Sequence, residues 1–396
     1  MSQDSSTLAS SQGDTGNTTI NVFSPEGVVP LEIPLELACS LILLKGQAVD
    51  TYTVHDIMTA SSTLKKFRDL QETSPTSPRL MATPSQDIVQ MSLDSRGAIT
   101  VQELLSSASL EGRIQMVGQL SRAVLPLSQH AHGCRVIQKV LEIGTLEERL
   151  ALAAALPLSR IVDCCVDVNA NHVMQKFVEV LPSNFVDFII EAVSSPFTIS
   201  RLSVHCYGCR VVQRILARCL PAQTEKVLEG IVSSVGEMVS DQFGNYVVQH
   251  ALDFGRENDK LRIIRTLISR DLVLLSCNKF ASNVVEKAAR MGDASTGVLV
   301  DALVAMSQDQ TLEIMRDRFG NYVIRAFLEL PLTRYPQLAA VRELVRANSS
   351  TLKKFTYGWH LVEKLQKGGD KENKDSRAAL AHMLQGWAAN EGWQSP

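Results

Sequence analysis

Apolar positions recur along most of this chain with the period of an amphipathic helix. From Phe243 to Asp253, Val247, Val248, Ala251 and Leu252 form one apolar helical face. Asn245, Tyr246 and Gln249 fall on the other face, with Asn245 and Gln249 one turn apart. The pattern then repeats. It reads HGCRVIQKVLE from His132, NANHVMQKFVE from Asn169, YGCRVVQRIL from Tyr207, FGNYVVQHALD from Phe243, FASNVVEKAAR from Phe280 and FGNYVIRAFLE from Phe319. The equivalent residues Cys134, Asn171, Cys209, Asn245, Ser282 and Asn321 are 37, 38, 36, 37 and 39 residues apart. A near-constant period of this size marks a helical repeat array.

Each repeat reads as helices joined by tight turns. Thr145 and Glu148 fit a capping box, and Pro182 can open a helix at its first position. A helical unit this short cannot bury its own apolar face. Stacked units bury a continuous one, which predicts an α-solenoid with a concave surface.

Weaker copies flank the array. Ala98 stands 36 residues before Cys134, Thr51 stands 47 before Ala98, and Trp359 stands 38 after Asn321. The predicted repeats lie near 30–72, 87–122, 123–158, 159–195, 196–233, 234–270, 271–308 and 309–347, with a partial repeat at 348–367. Ser/Thr-Pro steps make 73–86 an inserted loop. Residues 1–29, rich in Ser, Thr, Gly and Asn, read as a disordered tail. Residues 371–396 read as a second tail, with a short helix over Ser376–Trp387.

Composition narrows the class. The chain has 396 residues, 45% hydrophobic and 5% aromatic, which suits helices packed on helices. The net charge of −3 argues against non-specific coating of nucleic acid but allows a local basic stripe. The polar N-terminus predicts no secretory signal, and no apolar run is long enough to span a bilayer. The cysteines are therefore expected as reduced thiols in an intracellular protein. Cys206 and Cys209 form a CxxC without a partner pair, so no metal is expected. The sequence lacks GxSxG, Walker, HExxH and GxGxxG motifs, so neither a catalytic residue nor a cofactor is expected.

The polar face carries the candidate chemistry. Its three positions hold Cys134, Arg135 and Gln138; Asn171, His172 and Gln175; Cys209, Arg210 and Gln213; Asn245, Tyr246 and Gln249; Ser282, Asn283 and Glu286; Asn321, Tyr322 and Arg325. The outer two can address a base edge with two hydrogen bonds. The middle one, mostly planar, can stack on base faces. Lys139, Lys176, Arg214, Lys287 and Lys364 follow the third position and would supply a phosphate-facing basic stripe.

These in-register triplets resemble the Pumilio (PUF) family of RNA-binding proteins. The resemblance implies an all-α fold, a right-handed α-solenoid of about eight repeats forming a crescent. Single-stranded RNA would run antiparallel to the chain. In that family Asn with Gln reads uracil, Cys or Ser with Gln reads adenine, and Ser with Glu reads guanine. Repeats eight to three then imply 5′-UGUAUA-3′. The resemblance further implies a monomeric, cytoplasmic regulator of mRNA 3′ untranslated regions. It would repress translation or promote decay through co-repressors on the convex face. Arg325 departs from the family's Gln, and Ala98, Ile99 and Gln102 lack the polar pair. Thr51, Tyr52 and His55 depart as well. A divergent nucleolar factor in rRNA processing is the alternative, although such members are basic and lose their triplets. A protein-binding scaffold would lack both triplets and basic stripe.

Overall fold

A computed structural model describes residues 17–24, 27–34, 52–53 and 87–366. Thr51, His55, the 73–86 loop and the 371–396 tail lie outside the described residues. From Ile88 onward the described residues are helices and their turns, in agreement with the all-α expectation.

A small sheet precedes the helices, with strand order β2-β1-β3. It comprises β1 (Asn17–Ser24), β2 (Gly27–Pro34) and β3 (Tyr52–Thr53). Strands β1 and β2 pair antiparallel, with Ile20 opposite Leu31 and Val22 opposite Val29. Strand β3 runs parallel to β1, with Tyr52 opposite Val22. The sequence pattern places a tail and a helical repeat here, and the structure differs. Ile20 and Val22 flank the polar Asn21, and Val29, Leu31 and Ile33 alternate with Pro30 and Glu32 on the partner strand. That period of two is a strand signal, embedded in a Ser/Thr/Asn-rich composition. Tyr52, the middle position of the expected first repeat, is therefore a strand residue.

The polar triplets begin the motif helices. These are α1 (Ser95–Ser107), α2 (Gly133–Ile143), α3 (Ala170–Val180) and α4 (Gly208–Arg218). They continue with α5 (Gly244–Phe254), α6 (Ala281–Arg290), α7 (Gly320–Glu329) and α8 over 356–366. The chain packs as two units, one of residues 1–193 with 218–223, the other of 194–217 with 224–396. In the first, α2 packs between α1 and α3. In the second, α6 packs between α5 and α7. Second-layer helices stack likewise: Leu110–Ser121 on Leu146–Ala155, and Glu257–Ser269 on Ala294–Val304. Each unit is thus a stack of helical repeats.

The apolar stripe does what its spacing predicts. Val247, Val248 and Ala251 are fully buried, and Leu252 nearly so. Burial of each large aliphatic side chain contributes about 1.5–3 kcal/mol. The Thr145–Glu148 capping box forms: Thr145 N–H donates to Glu148 Oε2, and Glu148 N–H donates to Thr145 Oγ1. Pro182 instead precedes a single 3-10 turn, Ser183–Phe185. No helix among the described residues is long and apolar enough to cross a membrane.

Candidate nucleic-acid interface

The site is built from the turn that precedes each motif helix. Four residues before the first triplet position stands a side chain that caps the turn. Asp241 Oδ1 accepts the backbone N–H groups of Phe243 at 2.8 Å and Gly244 at 2.7 Å. Asp94, Asp167 and Asp317 do the same before α1, α3 and α7, and Asn278 before α6. In α2 and α4 a histidine takes this place. His130 Nδ1 accepts from His132 and Gly133, and His205 Nδ1 from Tyr207 and Gly208. These caps satisfy orphan N–H groups at the helix start. Sequence reasoning missed them, although an Asp, Asn or His at this offset was visible once the repeats were aligned.

The residue just before the first triplet position is Gly or Ala, and the reason is close approach. A Cβ on Gly133, Gly208, Gly244 or Gly320 would sit 2.5–2.8 Å from the carbonyl oxygen six residues earlier. Ala170 and Ala281 are the largest residues found there. Gly97 and Gly358 meet the same carbonyl in α1 and α8, so repeat two and the terminal repeat share the frame.

This frame sorts the triplet by depth. Cys134, Asn171, Cys209, Asn245, Ser282 and Asn321 are all buried. Arg135, His172, Arg210, Tyr246, Asn283 and Tyr322 are all exposed. Helical spacing alone put both positions on one solvated face. The first is buried because its side chain turns onto the cap. Asn245 Nδ2 donates to Asp241 O at 2.9 Å and Gln242 O at 3.1 Å. Asn171 and Asn321 make the same two bonds to the carbonyls of Asp167 and Val168, and of Asp317 and Arg318. Both amide hydrogens are then spent inward, which leaves Oδ1 as the outward acceptor.

The third position completes the pair. Gln175 Nε2 donates to Asn171 Oδ1, and Gln249 Nε2 to Asn245 Oδ1, both at 3.0 Å. Gln138 Nε2 donates to Cys134 O at 3.0 Å, and Gln102 Nε2 donates to Ala98 O at the same distance. Gln213 is buried, with its Nε2 unpartnered. Arg325 breaks the pattern: its Nε donates to Glu329 Oε1 at 3.5 Å rather than to Asn321. Glu286 is held by Arg290 Nε at 3.0 Å.

Between these pairs lie the planar groups. The Arg210 guanidinium carbon lies 6.0 Å from the centre of the Tyr246 ring. Partial desolvation and the nearby Arg135 charge hold the imidazole of the exposed His172 below its usual pKa, which favours the uncharged planar ring at neutral pH. Burial raises the Cys134 and Cys209 thiols, which stay protonated and point at the carbonyls of Ala131 and Cys206. In repeat two, Ile99 projects into solvent where the others carry a planar or polar group. In α8, Trp359 takes the first position and is exposed, unlike its six counterparts.

Three members of the expected basic stripe are paired. Lys176 pairs with Glu179 at 2.9 Å, Lys364 with Glu329 at 2.9 Å, and Lys287 with Asp253. Among the described residues no three His, Cys, Asp or Glu side chains converge as a metal set. Cys165 is fully buried, and burial raises its neighbour Cys164 to a pKa of about 11.

A profile of the Pumilio-family RNA binding repeat matches residues 123–156, 160–194, 199–232, 234–268, 271–288 and 310–330. The Pumilio domain-containing protein C6G9.14 of Schizosaccharomyces pombe is 29% identical over 278 residues, 69% of this chain and 40% of that protein. Fem-3 mRNA-binding factor 1 of Caenorhabditis elegans is 30% identical over 62% of this chain and 45% of its own length. The chain thus spans less than half of either relative. Among solved structures, the Puf4 RNA binding domain bound to an HO endonuclease RNA 3′ UTR recognition sequence superposes with a TM-score of 0.62. That match has 27% identity and covers 70% of this chain and 87% of that one.

Proposed function

This chain belongs to the Pumilio family of RNA-binding repeat proteins, and from that membership we propose that it binds single-stranded RNA by base identity and regulates mRNA after transcription. One observation carries the reading. The same capped frame, tightened by Gly or Ala, recurs six times, each time with a buried Asn, Ser or Cys at the first position and an exposed second one. A solvated helix face needs no such repetition.

The hydrogen-bond chemistry supports a base for each repeat. Asn171 and Asn245 present an acceptor beside a Gln amide with one N–H still free. That pair complements uracil, whose N3–H donates and whose carbonyl oxygens accept. Cytosine offers an acceptor at N3 and is refused. Glu286 offers only acceptors, which suits the N1–H and N2–H groups of guanine. Cys134 and Cys209 keep their thiols turned inward, so Gln138 and Gln213 are left to take the N6–H and N1 of adenine. With Asn321 reading uracil, repeats eight to three specify 5′-UGUAUA-3′. The expected target class is mRNA 3′ untranslated regions, with repression or decay as the outcome. The Puf4 and Puf3 RNA binding domains bound to 3′ UTR recognition sequences support that class.

The register is tested by changing Ser282→Asn and Glu286→Gln together. The preferred second base should switch from G to U, measured by titrating RNAs that differ only there. A retained preference for G would remove repeat seven from that position.

A further inference from the structure

Five charged side chains from α6, α7 and α8 form one network in the second unit. Arg290 reaches Glu286 Oε1 with Nε and Nη2, both at 3.0 Å, and pairs through Nη1 with Glu329. Glu329 Oε1 also takes Lys364 Nζ at 2.9 Å and Arg325 Nε at 3.5 Å. Glu329 is therefore the joint of the network. Partial burial pushes its carboxyl up. Hydrogen bonds from Lys364 and Arg290 outweigh that and hold it below the usual carboxylate range.

The arrangement follows from sequence offsets. Arg290 and Glu329 stand four residues after the third triplet positions, one helical turn along. In repeats three, four and six that offset carries Glu142, Glu179 and Asp253 behind a glutamine. Repeat seven places an acid, Glu286, at the third position and a cation, Arg290, behind it. Repeat eight places the cation Arg325 first and the acid Glu329 behind it, so Arg290 and Glu329 meet across adjacent helices.

We propose that Glu329 and Arg290 are positioning residues that fix Glu286 for guanine at the second base and keep Arg325 off the first. The proposal rests on the RNA-reading function above. Guanine presents two donors in a fixed line, and only a carboxylate of fixed orientation meets both. A glutamate side chain free in solution samples several rotamers, most of them unproductive. Arg290 grips Glu286 Oε1 with two N–H groups of its planar fork, which restricts the rotamers of the carboxylate. Against adenine that fixed carboxylate faces the N1 lone pair and is repelled. Glu329 holds the far side of the Arg290 fork. It also draws Arg325 away from Asn321, whose acceptor is left to read the first base.

The test is fluorescence anisotropy of the full chain with labelled 5′-UGUAUAUA-3′ at constant salt. The competitors carry G→A at base two or U→C at base three. Wild type should prefer G at base two by about tenfold or more. In Glu329→Gln, and separately in Arg290→Gln, that ratio should fall by about threefold, the scale of a surface ion-pair network. The base-three ratio, read by Asn245 and Gln249, should hold. An unchanged base-two ratio in both variants overturns the proposal, as does an equal fall in both ratios, which would mark a general loss of structure. A wild-type chain that does not prefer G at base two fails the underlying RNA reading instead.

Discussion

Asn245 owes its use to what its amide can no longer do. Both Nδ2 hydrogens are spent on the carbonyls of Asp241 and Gln242, so a flexible donor and acceptor has become a fixed acceptor. The residue types at these positions were legible from spacing alone. Their depth was not, because a helical wheel assigns an angle and ignores the turn onto which the first residue folds. Arg325 is a second case. Its identity departs from the family pattern, but only the structure shows it drawn to Glu329. The Tyr246 ring is about half exposed beside Arg210, as a stacking surface should be. Tyr246→Ala should weaken RNA binding by ~1–3 kcal/mol, the usual size of a lost base stack, with the thermal midpoint unchanged. Unaltered affinity for 5′-UGUAUAUA-3′ would mean that this face does not meet RNA.

At the scale of elements, one device starts seven helices: a side-chain cap, then a glycine or alanine, then the triplet. Its parts lie within nine residues, as from Asp241 to Gln249, so it copies intact from repeat to repeat. It also explains why the weak repeats are still repeats. Ala98, Ile99 and Gln102 have lost the base-reading groups, yet Asp94 and Gly97 keep the frame of α1. Asp241→Ala should cost about 1 kcal/mol and lower the thermal midpoint by a few degrees. Amide exchange at Phe243 and Gly244 should accelerate first. Unchanged exchange at those two amides would show that the cap carries no weight. The strands β1 and β2 are the element that composition hid. Their period-two pattern is short, and six of its sixteen positions are Thr, Asn or Pro.

For the whole molecule, the repeat period carried most of the fold, because each repeat's apolar stripe can be buried only against its neighbours. Net charge was a weaker guide. The chain is acidic overall, and Lys176, Lys287 and Lys364 are each paired with an acid from the same or an adjacent helix. The proposed function therefore rests on base contacts, since phosphate contacts carry no sequence information directly. A comparison of two RNAs that differ at one base tests this. Fluorescence anisotropy at near-physiological salt would compare labelled 5′-UGUAUAUA-3′ with the same strand carrying C in place of G. Tight binding to the first and a loss of about tenfold or more on the second are expected. Equal affinity for the two, or negligible binding to both, would contradict it.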